Sequence, residues 1–164
     1  MDKTPRVLFL SRGSASRAQI AEGFLRVLGG DRFIPLSAGT ESADVSPLAM
    51  EVMSEVGIDL STQRPREIPS LFRETFRCAV VVCDEPRERY PVYPFTRNVL
   101  KWSVSDPEVA TGEPEVKKHL FRQVRDQIRT RVEEFIAETN QPDRAFANAQ
   151  TEASPVEQHA ALMN

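Results

Sequence analysis

Ser11-Arg12-Gly13-Ser14-Ala15-Ser16-Arg17 is the stretch of this chain whose residue types and spacing could do chemistry. It follows a short apolar run, Val7 to Leu10, and leads into a helical pattern beginning Ala18-Gln19-Ile20-Ala21-Glu22. A buried strand, a tight loop of small residues and a helix start aim several backbone N–H groups at one spot, where the helix dipole also favours an anion. Arg12, Gly13, Ser14, Ala15, Ser16 and Arg17 would line such a phosphate cradle. Arg17 supplies the counter-charge, because its planar fork donates two parallel hydrogen bonds to a tetrahedral oxyanion and a lysine point charge does not. Arg12 reads as a surface charge that adds to the anion's field.

The cradle lacks an evident nucleophile. A serine hydroxyl attacks only when a neighbouring base or metal activates it. The two histidines are His119, inside the last predicted helix, and His159, near the end of the chain. No cluster of Asp, Glu and His has ligand spacing near the loop, so neither a metal nor a cofactor is expected. Ser14-Ala15-Ser16-Arg17-Ala18 loosely imitates the nucleophile elbow of serine hydrolases, but an elbow carries glycine at its outer positions and its serine at the strand end. A nucleotide-binding P-loop would need Gly-Lys-Ser/Thr, which does not follow.

The elements that must position this loop alternate strand and helix, the pattern of a parallel sheet covered by helices on both faces. Strand one is read as Arg6 to Leu10, and helix one as about Arg17 to Leu28, stopped by Gly29-Gly30. Phe33 to Ser37 reads as strand two. Ser46 with Pro47 makes an N-cap and first-turn pair for a helix through Glu55, which Gly57 ends. Phe76 to Cys83, apolar apart from Arg77, reads as a central parallel strand. Asn98 to Val104 makes the fourth strand. Val116, Leu120, Phe121, Val124, Ile128, Val132, Phe135 and Ile136 recur at helical spacing, which predicts a long helix over 115–138. Lys117, Lys118, Arg122, Arg125, Arg129 and Arg131 are expected on its solvated face.

Composition sets the class. The chain has 164 residues, 40% hydrophobic and 27% charged, enough for one globular domain with a proper core. A net charge of −3 offers no basic excess to release counterions from a nucleic-acid backbone. No stretch approaches the ~20 apolar residues of a membrane span, and Val7 to Leu10 is too short for a signal-peptide core, so a cytoplasmic protein is expected. Cys78 and Cys83 fall in one predicted strand, where a disulfide would require a bend, and reduced thiols are expected. After Asn140 the chain is rich in Ala, Gln, Asn, Glu and Pro. Residues 1–140 therefore read as the domain and 141–164 as a disordered tail.

The loop resembles the signature of the low-molecular-weight protein tyrosine phosphatases and of the thioredoxin-coupled arsenate reductases that share their fold. That signature reads Cys, five residues, Arg, then Ser. Here Arg17 fits and Ser11 stands at the cysteine position. Further motifs follow in the family's order: Ser37-Ala38-Gly39-Thr40 resembles the turn after its second strand, Val80 to Cys83 with Asp84 the strand carrying a second redox cysteine, and Trp102 with Asp106-Pro107 the stretch holding its general acid. The resemblance spans roughly residues 5–138 and implies a four-stranded parallel sheet of the low-molecular-weight phosphatase fold.

The resemblance also implies what this chain lacks. Ser11 replaces the thiolate, Ala18 a serine that hydrogen-bonds it, and Ser14 an asparagine that holds the loop's left-handed turn. The reductase relay would align Ser11, Cys83 and Tyr90 with its three cysteines, leaving Cys83 as the sole redox candidate and thioredoxin docking without a chemical purpose. Asp106 is the candidate general acid, or simply a turn-capping aspartate. Glu108-Val109-Ala110 after Asp106-Pro107 offers no aromatic wall for a phenyl ring. The expectation is a protein that binds phosphate, arsenate or a phosphorylated group with little thiol catalysis. The alternatives are an active enzyme, with Ser11 an engineered Cys-to-Ser trap or acting by another route, and an interaction protein with a vestigial loop.

Overall fold

The computed structural model describes residues 3–13, 15–40, 44–84, 96 and 98–140. The expected tail from Gln141 and the Tyr90 loop lie outside them. Strand β1 (Arg6–Ser11) leads to helix α1 (Ser16–Gly29), and β2 (Ile34–Gly39) to α2 (Pro47–Ser54). A two-residue strand β3 (Arg66–Glu67) and a one-turn helix α3 (Ile68–Leu71) come next. Then follow β4 (Cys78–Cys83), β5 (Val99–Ser103) and α4 (Pro114–Thr139). The sheet is wholly parallel, in the order β3-β2-β1-β4-β5.

Among the described residues the sheet thus has five strands where the sequence predicts four. The extra strand pairs Ala38 with Arg66 and Gly39 with Glu67 at the edge. It is too short and too polar to write an apolar run, because backbone pairing alone creates it. The central strands were legible for the opposite reason: every residue of Cys78-Ala-Val-Val-Val-Cys83 is buried, as parallel strands covered on both faces require.

Two apolar layers flank the sheet. Val7 and Phe9 face α1, α2 and α4, packing with Ile20, Phe24, Val52, Phe121, Ile128 and Trp102. Leu8 and Leu10 face the other way, with Leu71 and Ile68 of α3, Phe76, Val81 and Cys83. The alternation is the two-residue period of a strand.

Ser46 does stand at the N-cap of α2, but its side chain makes no capping bond, and its carbonyl accepts from the Met50 N–H at 3.0 Å. Gly57, at φ +78°, ends the segment as expected. Val116 is 52% exposed because the first turn of α4 overhangs the core.

The basic face of α4 is the larger correction. Arg125 is buried, donating to the Val52 carbonyl and to Glu55, each at 2.9 Å. Arg122 grips the same carboxylate at 2.8–3.1 Å, and Lys118 pairs with Glu51. These cations clamp α2 to α4, a role that periodicity cannot reveal because it depends on which helix lies opposite. Arg122 first, then Arg125, hold the Glu55 carboxyl down to about 2 from its ordinary 4.5. A carboxylate held low stabilises the fold fully above its ordinary pKa and loses that contribution as pH falls toward 2. Glu55→Gln is therefore expected to unfold more easily than the parent at neutral pH, with the difference in denaturant midpoint shrinking as pH drops through that window.

Candidate functional site

Strand order reverses at β1: the chain runs from β1 to β2 on one side and later reaches β4 on the other. In open parallel sheets the crevice outside the carboxyl ends at such a switch point is where ligands bind. Ser11 is the last residue of β1, level with Gly39 of β2 and Val82 of β4, and is fully buried. The loop singled out in the sequence therefore opens into that crevice.

Local geometry explains the small residues. Gly13 adopts φ +66°, a left-handed conformation that favours glycine, and nothing lies within 4 Å of where a Cβ would stand. Its N–H donates to Thr40 Oγ1 at 2.7 Å, while the Thr40 N–H donates to the Ser11 carbonyl at 3.3 Å. Ser14 lies outside the described residues. Ala15 stands at the N-cap of α1 with no side-chain cap, its carbonyl accepting from the Gln19 N–H at 2.8 Å. Arg12 is exposed, as expected of a peripheral charge, and Ala18 is completely buried.

Gly39 has a different role. A Cβ there would lie 2.9 Å from the Gly13 carbonyl oxygen and 3.1 Å from Ala15, so only glycine lets β2 pass this close to the loop. Gly39→Ala is expected to push the loop away and to cost about 1–3 kcal/mol of stability by overpacking. Thermal unfolding checks the stability, and anion titration is expected to show weaker binding than in the parent.

Among the described residues Arg17 is the largest fully buried side chain, at 1% exposure. Its Nη1 donates to the Val104 carbonyl at 3.0 Å, and its Nη2 donates to the Arg12 carbonyl at 3.3 Å and lies 3.7 Å from Asp106 Oδ2. The structure thus brings together Arg17 and Asp106, far apart in sequence. Asp106 also accepts the Glu108 N–H at 3.0 Å, capping the short 3-10 turn Pro107–Val109. The turn-capping reading of this aspartate is what these contacts display, and the proximity to Arg17 is an addition that the sequence did not suggest. Reasoning from sequence missed Glu108, whose carboxylate accepts from the Ser16 hydroxyl at 2.8 Å. Its only signal was adjacency to Asp106-Pro107.

The cysteines lie elsewhere. Cys83 packs with Leu8 and Leu10 on one face of the sheet, whereas Ser11, two residues beyond Phe9, continues the opposite face by strand alternation. Cys78 sits in the core at the other end of β4, where burial pushes its thiol up to about 12. Trp102 is a core residue, its ring centroid 5.7 Å from Phe9 and 6.4 Å from Phe135, and it anchors β5 just before Val104 and Asp106. Under the loop, Glu22 accepts from the Ser37 hydroxyl at 2.5 Å, and burial raises its carboxyl above the ordinary range, with that hydrogen bond and Arg26 acting against the rise. Gln63 donates to the Gln19 carbonyl at 3.0 Å, tying the 57–65 segment to α1.

A doubly wound parallel sheet with a helix-capped loop and a buried arginine at its switch point defines the class. The chain belongs to the low molecular weight phosphotyrosine protein phosphatase family, whose model matches residues 6–145. Among individual proteins it is similar to the arsenate reductases of Bacillus subtilis, 36% identical over 133 residues, and of Halalkalibacterium halodurans, 35% over 133. Each alignment covers 81% of this chain and 95% of the relative. A glutaredoxin arsenate reductase of Synechocystis is 32% identical, with 80% of this chain and 96% of the relative covered. Among solved structures, an arsenate reductase in the phosphate binding state superposes with a TM-score of 0.67 at 30% identity, covering 81% of this chain and 97% of that one. An arsenate reductase in the oxidized state gives 0.69 at 32%, with the same coverage. A protein tyrosine phosphatase at 17% identity and a TM-score of 0.65 shares the fold.

Proposed function

We propose that this protein holds phosphate or arsenate in the loop from Ser11 to Arg17 and performs little or no thiol chemistry there. The observation that carries the proposal is Arg17, a buried arginine on the first turn of α1 beside the carboxyl end of β1, held next to Asp106. At a helix N-terminus the arginine's charge opposes the dipole; Asp106 offsets that charge in part, and a bound anion would offset it further. The backbone of Arg12, Gly13, Ser14, Ala15 and Ser16 would complete the anion's shell, and Asp106 would serve as proton donor or acceptor at the rim.

Ser11 supports the second half of the proposal. A hydroxyl ionises several pKa units above a thiol, and the described residues around the loop include no histidine to act as base. The chain has two cysteines, both in β4, and Cys83 lies on the face opposite Ser11, so we infer no need for a thioredoxin. The functional unit would be residues 1–140, working in the cytoplasm. No described helix is long and apolar enough to cross a membrane.

Calorimetric titration with inorganic phosphate and then arsenate, paired with an aryl phosphate hydrolysis assay on the same preparation, tests both halves. Saturable heat without turnover is the expected result. Absence of heat removes the oxyanion site, and thiol-like turnover removes the silent one.

A further inference from the structure

One short turn delivers two carboxylates to the first turn of α1. Asp106 Oδ2 lies 3.7 Å from Arg17 Nη2, and Glu108 Oε1 accepts from the Ser16 hydroxyl at 2.8 Å. The turn is rigid, because the Glu108 N–H is itself bonded to Asp106 Oδ1 at 3.0 Å and Pro107 is buried. Ser16 and Arg17 are both nearly inaccessible, so the carboxylates reach them through protein rather than through bulk water. An anion seated on the α1 N-terminus and the Arg17 fork would meet two negative groups along with one buried positive one.

An ionised carboxylate accepts hydrogen bonds and donates none. Against a bare oxyanion oxygen it repels; against an O–H it makes a short, charge-assisted bond. Phosphate and arsenate carry at least one O–H near neutral pH, whereas sulfate carries none. The geometry points to Glu108 as a specificity-determining residue, accepting the ligand's proton directly or through Ser16, so that the loop selects a protonated tetrahedral oxyanion and rejects sulfate. A site built to pair with a ligand's hydroxyl discriminates strongly against the analogue that lacks it, since its own acceptor is then left unpaired. This inference rests on the oxyanion reading of the same loop and adds to it the class of anion.

The test is competitive calorimetry of the full chain with inorganic phosphate, arsenate and sulfate, repeated on Glu108→Gln and Glu108→Ala with thermal midpoints recorded for each. The parent is expected to bind phosphate and arsenate at least about tenfold more tightly than sulfate. Both variants are expected to narrow that ratio, chiefly by gaining sulfate affinity. Equal binding of phosphate and sulfate by the parent overturns the inference and leaves the oxyanion site standing, as does a ratio unchanged in both variants. Failure of all three anions to bind the folded parent removes the oxyanion reading, and this inference with it.

Discussion

Arg17→Ala is expected to abolish saturable phosphate and arsenate binding, with affinity falling at least about 100-fold. Each charge-assisted hydrogen bond from the guanidinium contributes about 1.5–3 kcal/mol, and the fork supplies two. The same substitution leaves Asp106, only 15% exposed, without the buried cation 3.7 Å away, which costs about 3 kcal/mol of stability. Binding loss and unfolding must therefore be separated. Arg17→Lys does so, because it keeps a charge beside Asp106 but cannot present two parallel donors. It is expected to restore most of the thermal midpoint while recovering only a minor part of the affinity. Unchanged phosphate binding by a folded Arg17→Ala protein would place the anion elsewhere.

Ser11→Cys is expected to create hydrolysis of a simple aryl phosphate at least about tenfold above the parent. A thiol at this position would end β1, at the head of the loop that leads to the α1 N-terminus and Arg17, and a helix N-terminus and an arginine are the two influences that lower a cysteine pKa toward neutrality. The thiolate forms a bond to phosphorus as the bond to the aryl oxygen breaks, that oxygen taking a proton from the acid form of Asp106; water then attacks phosphorus, gives its proton back to Asp106, and releases phosphate and the thiolate. Ala18 offers no hydroxyl to hold the thiolate, so Ser11→Cys combined with Ala18→Ser is expected to exceed the single exchange by roughly another tenfold. Adding Asp106→Asn is expected to remove most of the gain, since a positioned general acid contributes about 100-fold or more. Rates measured under single-turnover conditions separate these effects. No gain from either thiol variant, with phosphate still bound, would mean that the loop has moved away from reactive geometry and that Ser11 is not the block.

Much of the fold was legible because burial writes itself into sequence. The apolar runs at Val7–Leu10 and Phe76–Cys83 and the helical period from Val116 to Ile136 mark elements that must hide side chains, and the expected boundaries fall within a residue or two of the observed ones. Strand β3 hides almost nothing and left no trace. The clamp from Lys118, Arg122 and Arg125 to Glu51 and Glu55 was misread as a solvated face, because a charge pattern on one helix does not say which helix lies opposite.

The site divides the same way. Arg17 and the loop were candidates from local spacing, and Asp106 from a stretch resembling the family's and from its proline. The Val104 carbonyl that receives Arg17, the close passage of Gly39 and the Ser16–Glu108 bond join residues distant in the chain, and no local pattern encodes them. The absence of an evident base for Ser11, by contrast, could be read from residue types alone, since the two histidines lie far from the loop in the chain.

The most direct measurement is a titration of isotope-labelled protein with inorganic phosphate, followed by amide nitrogen–proton correlation spectra, in the parent and in Arg17→Lys. Saturable shifts concentrated at the amides of Arg12, Gly13, Ala15, Ser16, Arg17 and Ala18, and strongly weakened in the variant, are the predicted result. Shifts absent from those amides while the protein remains folded, or identical in both proteins, would contradict an oxyanion held by this loop.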